Sequence, residues 1–213
     1  MFDLSLYFIT NSDNICENKF LNIIEEACIG GVTIIQLREK DKSTKDFIEL
    51  ALKVKKITDR YNIPLIIDDR IDVALAVNAS GVHLGTNDMD IKTARNILGK
   101  DKIIGSTAKN RTRALESQNN GADYLGVGAI YNTTTKVETK ITSIETLKDI
   151  VNSVDIPICA IGGLDINNID ILENTNISGV CTVSAIMKSD NPREYSKDFL
   201  NKINTLIKKE NYL

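Results

Sequence analysis

A run of charged and amide side chains follows one of the short apolar segments of the chain. In the stretch QLREK, Gln36, Arg38 and Lys40 alternate, so in a β-strand all three side chains would point to the same face. An amide, a guanidinium and an ammonium on one face predict a cradle for a dianionic phosphate. The alternative is an ordinary charged strand end, with Glu39 paired to Arg38 or Lys40.

Carboxylates follow the next two apolar segments. Asp68 and Asp69 are adjacent, and Asp88 follows the segment 81–84. Aspartates at neighbouring strand ends can share a Mg²⁺ ion, which takes hard oxygen ligands and often one or two carboxylates with substrate phosphates. The alternative for Asp69 and Asp88 is helix capping. Capping does not explain two successive aspartates, because they would repel each other without a nearby cation.

A second group of anion donors lies later in the chain. The segment 126–136, GVGAIYNTTTK, is longer than a barrel connection needs and ends in three threonines and a lysine, although a solvated loop is the alternative. Gly162-Gly163 and Ser184-Ala185 follow two further apolar segments, and such pairs offer backbone N–H groups to phosphate. Two separate donor sets fit two phosphorylated substrates or one doubly phosphorylated substrate. The sole histidine, His83, lies inside an apolar run, which favours a packed side chain over a catalyst.

Eight short aliphatic segments alternate with stretches of helical period. The predicted strands are 6–10, 32–37, 64–68, 81–84, 102–105, 123–127, 157–161 and 179–183, and the predicted helices are 17–29, 43–61, 70–79, 90–98, 109–120, 142–152, 166–174 and 192–208. This alternation predicts an α/β protein, a single (β/α)₈ TIM barrel over residues 1–213 with its active site at the carboxyl ends of the strands. An open doubly wound sheet is the alternative, but the glycine-rich turn of its dinucleotide-binding form is missing after the first strand.

The overall composition excludes several functional classes. The net charge is −3 and no basic stripe appears, so we expect no nucleic-acid partner. No signal peptide or membrane span is visible, and the four cysteines are too far apart for a zinc knuckle. We therefore expect a cytoplasmic enzyme with small phosphorylated substrates and no membrane partner. The oligomeric state is left open, and a homodimer is one arrangement that the sequence allows.

The ordered set of motifs resembles the thiamine-phosphate synthase (thiamine-phosphate pyrophosphorylase) family. These motifs are QLREK, DDR, GVHLGTND, GS, GVGAIYNTTTK, AIGG and VSAI, which extend from the first predicted strand to the last. The resemblance implies a (β/α)₈ transferase that couples 4-amino-2-methyl-5-hydroxymethylpyrimidine diphosphate to 4-methyl-5-(2-phosphoethyl)thiazole, giving thiamine phosphate and pyrophosphate. Two positions depart from the family pattern, since Asp68 replaces the usual Asn and Asn132 the usual Pro.

The resemblance also implies a set of site residues. One Mg²⁺ ion would be held by Asp69 and Asp88. The catalytic side chains would be Arg38, Lys40, Ser106 and Lys136. The pyrimidine diphosphate would contact Gln36, Leu37, Arg38, Glu39, Lys40, Asp68, Ser106 and Lys136, and the thiazole phosphate would contact Thr133, Thr134, Thr135, Gly163, Val183 and Ser184.

Three other functions remain open at this point. A thiazole tautomerase of the same superfamily would need neither diphosphate nor metal. The QLREK run and the pair Asp69 and Asp88 argue against it. A non-catalytic barrel that binds a phosphorylated ligand is the second. A sugar-phosphate isomerase or aldolase-type barrel is the third, but no convincing lysine lies inside the sixth or seventh strand.

Overall fold

The structure is a computed structural model that describes residues 2–132 and 140–208. Within these ranges eight short strands alternate with helices along the chain. The strands are β1 (Leu6–Ile9), β2 (Ile34–Leu37), β3 (Leu65–Asp68), β4 (Gly81–Leu84), β5 (Ile103–Ala108), β6 (Tyr124–Gly128), β7 (Ile158–Ile161) and β8 (Gly179–Thr182).

The helices surround these strands. They are α1 (Glu17–Ile29), α2 (Thr44–Arg60), α3 (Ile71–Ala76), α4 (Ile91–Leu98), α5 (Arg111–Asn119), α6 (Ile144–Val151), α7 (Ser184–Met187) and α8 (Pro192–Lys208), with a 3₁₀ helix at Ile169–Leu172. Several begin at a side-chain cap. Ser43, Asp90, Asn110 and Ser143 each accept a hydrogen bond from the backbone N–H three residues later.

The strands close into a barrel. Each strand pairs in parallel with the next one in the chain, and β1 pairs with β8 through Tyr7 and Cys181. The prediction of a (β/α)₈ barrel is therefore confirmed, and the open doubly wound sheet is excluded. Because all strands are parallel, the segments that follow their carboxyl ends meet at one end of the barrel.

Alternation along the strands separates two buried apolar clusters. Side chains that point outward, such as Phe8, Ile35 and Leu37, pack against the helices. Side chains that point inward, such as Tyr7 and Tyr124, fill the barrel. The register of each strand therefore decides which residues can reach a site inside the barrel.

The largest differences from the predictions are in the 166–174 segment, in strand β5 and in the unpredicted helix α7. Within 166–174 only a 3₁₀ helix forms, at Ile169–Leu172, and Asn174, with a left-handed φ of 58°, prevents a helix from continuing to the predicted end. Strand β5 extends to Ala108, three residues beyond the predicted end. Its residues Gly105 to Ala108 pair with β6, and this pairing outweighs the weak strand preference of glycine.

Candidate active site

A cavity of about 430 Å³ opens at the carboxyl ends of the strands. Its wall includes residues from every strand of the barrel or from the segment directly after it. The volume lies within the range that small-molecule sites usually have. The cavity is therefore in the place where barrels of this type hold their active sites.

Strand β2 delivers the predicted cationic face to this cavity. Gln36, Arg38 and Lys40 all line the wall, as their alternating positions predict. Leu37 points the other way and is fully buried between the barrel and the helices. Because side chains alternate, the side chain of Leu37 does not reach the cavity, and the predicted contact of Leu37 with the diphosphate stays a prediction.

Glu39 also points away from the cavity. Its carboxylate accepts a hydrogen bond of 2.7 Å from the hydroxyl of Ser12, and its Oε2 lies 3.6 Å from Nζ of Lys42. Burial raises the pKa of Glu39. The side chain therefore joins the β1–α1 and β2–α2 segments. It does not line the cavity, so the predicted contact of this side chain with the diphosphate is not seen in the structure.

Ser106 is likewise turned away, for the same reason of alternation. It is fully buried, and its hydroxyl lies 2.9 Å from that of Ser117 in α5. The next residue, Thr107, lines the cavity instead, as does Lys109 two positions later. The predicted role of the Ser106 side chain is therefore corrected, and Thr107 and Lys109 are cavity residues that the sequence interpretation missed. A period of two counted along β5 would have found them.

The adjacent aspartates share one lysine. Nζ of Lys40 lies 2.8 Å from Oδ2 of Asp68, contacts Oδ2 of Asp69 still more closely, and Arg38 lies 3.7 Å from Asp68. Burial, and then the charge of Asp69, raises the pKa of Asp68. Burial alone would also raise the pKa of Asp69, but the hydrogen bond from Lys40 lowers it below its ordinary value.

Lys40 responds to both carboxylates. Burial alone would lower its pKa, but the charge and close approach of Asp68, and then those of Asp69, raise it above the ordinary lysine value. Oδ2 of Asp68 is buried without a well-aligned hydrogen bond, so charge holds that pair together. This corner of the cavity therefore combines fixed cationic groups with carboxylate oxygens that have spare capacity to accept.

Helix capping does not account for Asp69 or Asp88. The N-cap residue of α3 is Arg70, whose side chain does not cap the helix, and α4 is capped by Asp90. Asp88 instead accepts a 2.7 Å hydrogen bond from the N–H of Gly85. The capping alternative is therefore excluded for both residues.

The carboxyl groups of Asp69 and Asp88 both line the cavity and interact with each other. Burial, followed by the interaction with Asp69, raises the pKa of Asp88. A divalent cation between two such carboxylates would offset their repulsion. Within residues 2–132 and 140–208 no three metal-binding side chains cluster, so the described protein offers two carboxylates. Two carboxylates fit Mg²⁺, which usually completes its shell with water and substrate phosphate.

The second predicted donor set is only partly within the described residues. Gly163, Val183 and Ser184 line the cavity on the side of β7 and β8. Gly163 has a φ of +64°, and a Cβ there would lie 2.8 Å from the carbonyl oxygen of Asn132, so glycine is required. The predicted contacts at Thr133, Thr134, Thr135 and Lys136 lie outside the described residues.

His83 is packed against the cavity floor. Its Nδ1 lies 3.1 Å from the hydroxyl of Tyr124, and its Nε2 lies 3.0 Å from the hydroxyl of Thr107. Both ring nitrogens thus face another side chain, which agrees with the interpretation of His83 as a packed residue.

Comparisons with known proteins identify the family. The family model described as thiamine monophosphate synthase matches residues 6–186. The chain belongs to the thiamine monophosphate synthase family. It is an enzyme of the transferase class, as predicted. Among the described residues, no helix is long and apolar enough to cross a membrane.

Individual members of the family are similar over nearly the whole chain. The thiamine-phosphate synthase of Methanobrevibacter smithii is 53% identical over 93% of this chain and 94% of its own length. Thiamine-phosphate synthase 2 of Streptococcus pneumoniae is 48% identical over 96% of this chain and 97% of its own length. The structure of thiamine phosphate pyrophosphorylase from Pyrococcus furiosus superposes with a TM-score of 0.87 at 35% identity, covering 96% of this chain and 97% of that one.

Proposed function

We propose that the cavity joins 4-amino-2-methyl-5-hydroxymethylpyrimidine diphosphate to 4-methyl-5-(2-phosphoethyl)thiazole and releases thiamine phosphate and pyrophosphate. One observation carries the proposal. Two cationic side chains, Arg38 and Lys40, converge on the same corner of one cavity as the carboxylate pair Asp69 and Asp88. Fixed cations beside a pair of metal-binding carboxylates suit a diphosphate that binds together with a divalent ion.

The diphosphate end of the site is assigned to β2, β3 and β4. Arg38 and Lys40 would bind the phosphate oxygens, and the hydroxyl of Thr107 faces the same cavity. Asp68 would accept a hydrogen bond from the amino group of the pyrimidine. Its Oδ2 is buried without a well-aligned hydrogen bond, which supports this role.

The thiazole phosphate is assigned to the opposite side of the cavity. Gly163, Val183 and Ser184 lie there, and Gly163 is close to the backbone of Asn132. The proposal adds Thr133, Thr134 and Thr135, which follow Asn132 in the sequence and lie outside the described residues. Backbone N–H groups and hydroxyls bind a phosphate without a metal ion. Lys136 would lie between the two phosphate sites.

The reaction breaks one bond and forms another. The bond between the pyrimidine methylene carbon and the diphosphate oxygen breaks first, and its electron pair leaves with pyrophosphate. The electron-rich aminopyrimidine stabilises the resulting cation. The lone pair of the thiazole nitrogen then forms the new C–N bond. No nucleophilic side chain is needed.

The protein contributes mainly by placing charge. Arg38, Lys40 and Lys136 would stabilise the negative charge that develops on pyrophosphate, and fixed donors of this kind act strongly because they need no reorganisation. Mg²⁺ held by Asp69 and Asp88 would add positive charge to the leaving group. The walls of the barrel would hold the thiazole nitrogen close to the methylene carbon.

A direct assay tests the proposal. The purified protein is incubated with both substrates and Mg²⁺, and thiamine phosphate and pyrophosphate are quantified. We expect equal amounts of the two products, none when either substrate is omitted, and a strong decrease after chelation of the metal. A complete lack of thiamine phosphate would contradict the proposal. Isomerisation of a thiazole phosphate without pyrophosphate release would favour the tautomerase alternative.

A further inference from the structure

Five polar side chains form one continuous chain of hydrogen bonds across the floor of the barrel. Nε2 of Gln36 donates to the hydroxyl of Tyr7 at 2.8 Å, and this hydroxyl lies 2.7 Å from that of Tyr124. The hydroxyl of Tyr124 lies 3.1 Å from Nδ1 of His83, whose Nε2 lies 3.0 Å from Oγ1 of Thr107. The chain thus begins and ends at residues that line the cavity.

Glycines on the neighbouring strands make room for the two central rings. A Cβ on Gly105 would lie 2.1 Å from the ring of Tyr124, and one on Gly126 would lie 3.2 Å from Cε1 of His83. His83, Gly105 and Tyr124 stand opposite one another in the strand register. The backbone therefore holds the two rings side by side, so the order of the hydrogen bonds is a built feature of the barrel.

The direction of this chain follows from counting protons. The oxygen of Tyr7 accepts from Gln36, so its own proton goes to Tyr124. The proton of Tyr124 then goes to Nδ1 of His83, which must accept. A neutral histidine carries one N–H, so that proton is on Nε2 and is donated to Thr107. Only one other order, the reverse one that starts from a turned Gln36 amide, also gives every buried hydroxyl proton an acceptor, and any mixed order leaves one without, which is costly.

The surroundings keep both tyrosines in the donor form. Both rings are buried, and burial raises the pKa of Tyr7 and of Tyr124 well above the ordinary tyrosine value. Each hydroxyl therefore holds its proton at neutral pH and has one hydrogen bond to give.

We propose that Gln36, through Tyr7 and Tyr124, holds His83 in its neutral Nε2–H form, so that Thr107 accepts from His83 and turns its own proton toward the cavity. Tyr124 and His83 are positioning residues in this scheme, since they act through Thr107. The reverse direction would begin from a Gln36 amide turned by half a rotation, and Thr107 would then give its proton to His83. An anionic ligand bound beside Arg38 and Lys40 needs hydrogen-bond donors. A Thr107 hydroxyl that donates into the cavity therefore suits such a ligand better than one that donates to His83.

Nitrogen NMR of the ligand-free protein tests the proposal. His83 is the only histidine, so protein labelled with ¹⁵N-histidine gives one pair of ring signals that needs no assignment. We expect the shifts of a neutral ring protonated at Nε2. A ring protonated at Nδ1, or a doubly protonated ring at neutral pH, would overturn the proposal. This measurement uses no substrate, so its failure is distinct from failure of the proposed reaction.

Variants test whether Gln36 causes the preference of His83 for the Nε2–H form. Gln36→Met removes the first donor while keeping the side-chain length, and we expect signals that shift toward a mixture of the two neutral forms. Tyr61→Phe is the matched control for Tyr124→Phe, because the hydroxyl of Tyr61 donates to Glu25, away from the hydrogen-bond chain. The His83 ring signals of Tyr61→Phe should equal those of the wild type. A pure Nε2–H ring in Gln36→Met would show that Gln36 does not set the direction.

Enzyme kinetics provide a second readout, which rests on the proposed function. Tyr124 does not itself line the cavity, and Tyr124→Phe removes the donor to Nδ1 of His83. We expect kcat/KM for the pyrimidine diphosphate to fall roughly 5- to 10-fold, the size of one neutral hydrogen bond, together with a mixed histidine signal. An unchanged tautomer together with unchanged kinetics would overturn the positioning role. Tyr61→Phe should leave both readouts unchanged.

Discussion

Lys40 places its ammonium 2.8 Å from Oδ2 of Asp68 while also contacting the carboxylate of Asp69. Lys40 therefore offsets two adjacent negative charges in the described cavity, together with Arg38, whose Nε lies 3.7 Å from Asp68. In the proposed complex with a divalent ion and a diphosphate, the carboxylates would receive a second cation and Lys40 would turn to the phosphate oxygens. This relationship separates the roles of the two aspartates and leads to the first two predictions.

Asp68→Asn is expected to change the pH dependence of stability. The pKa of Asp68 is raised in the folded protein, so its ionisation opposes folding as the pH rises from the ordinary aspartate value through this raised pKa. The asparagine variant lacks this penalty. Denaturant unfolding should therefore show that the variant gains stability relative to the wild type at about pH 7 and little at about pH 3, where both states are mainly protonated. A larger relative gain at acid pH would contradict this account.

The same pair of aspartates should differ in catalysis. Asp69→Asn removes a proposed metal ligand, and we expect kcat/KM to fall by a factor on the order of 10²–10³. Asp68→Asn keeps an acceptor for the pyrimidine and restores the residue usual in the family, so its kcat/KM should stay within roughly 3-fold of the wild type. Steady-state kinetics at saturating Mg²⁺ make the comparison. Equal losses in the two variants would show that Asp68 also belongs to the metal site.

Removal of single cationic groups should slow the reaction without unfolding the protein. We expect Arg38→Ala and Lys136→Ala each to lower the rate by a factor on the order of 10²–10³, because each would remove a fixed donor to the leaving group. Lys148→Ala, on the exposed face of α6, is the control and should keep wild-type kinetics. Near-normal turnover in both Arg38→Ala and Lys136→Ala, with circular dichroism unchanged, would refute the electrostatic mechanism.

Neighbouring hydroxyls on β5 should have opposite effects. Thr107→Val keeps the side-chain shape but removes a hydroxyl that lines the cavity, so kcat/KM should fall roughly 10- to 100-fold if it donates to a charged phosphate. Ser106→Ala removes the buried hydrogen bond to Ser117 and should cost about 1–2 kcal/mol of stability, with near-normal kinetics.

Steady-state kinetics and denaturant unfolding, each measured on Thr107→Val and on Ser106→Ala, test which of the two hydroxyls faces the cavity. If Ser106→Ala were the slow enzyme and Thr107→Val the normal one, the register of β5 described above would be wrong.

The sequence predicted the barrel well because its strands are aliphatic and its helices periodic. Gln36, Arg38 and Lys40 were placed correctly, since their alternation is visible in the sequence itself. The role of Ser106 came from the motif resemblance, which assigns no strand face. Its side chain points outward because β5 continues to Ala108, and this continuation depends on pairing with β6. The extra helix α7 was missed because a four-residue helix has no detectable period. Contacts such as Tyr7 with Tyr124 join residues 117 positions apart and depend on barrel closure.

The central claim is that one cavity holds a diphosphate with its metal ion on the side of β2 to β4 and a monophosphate on the side of β7 and β8. A crystal structure with thiamine phosphate, pyrophosphate and Mn²⁺ in place of Mg²⁺ tests it most directly, because anomalous scattering locates the metal. We predict a metal peak between Asp69 and Asp88, pyrophosphate against Arg38 and Lys40, and the phosphate of the product against Gly163 and Ser184. A metal bound elsewhere, or the two phosphate groups in exchanged positions, would contradict the account.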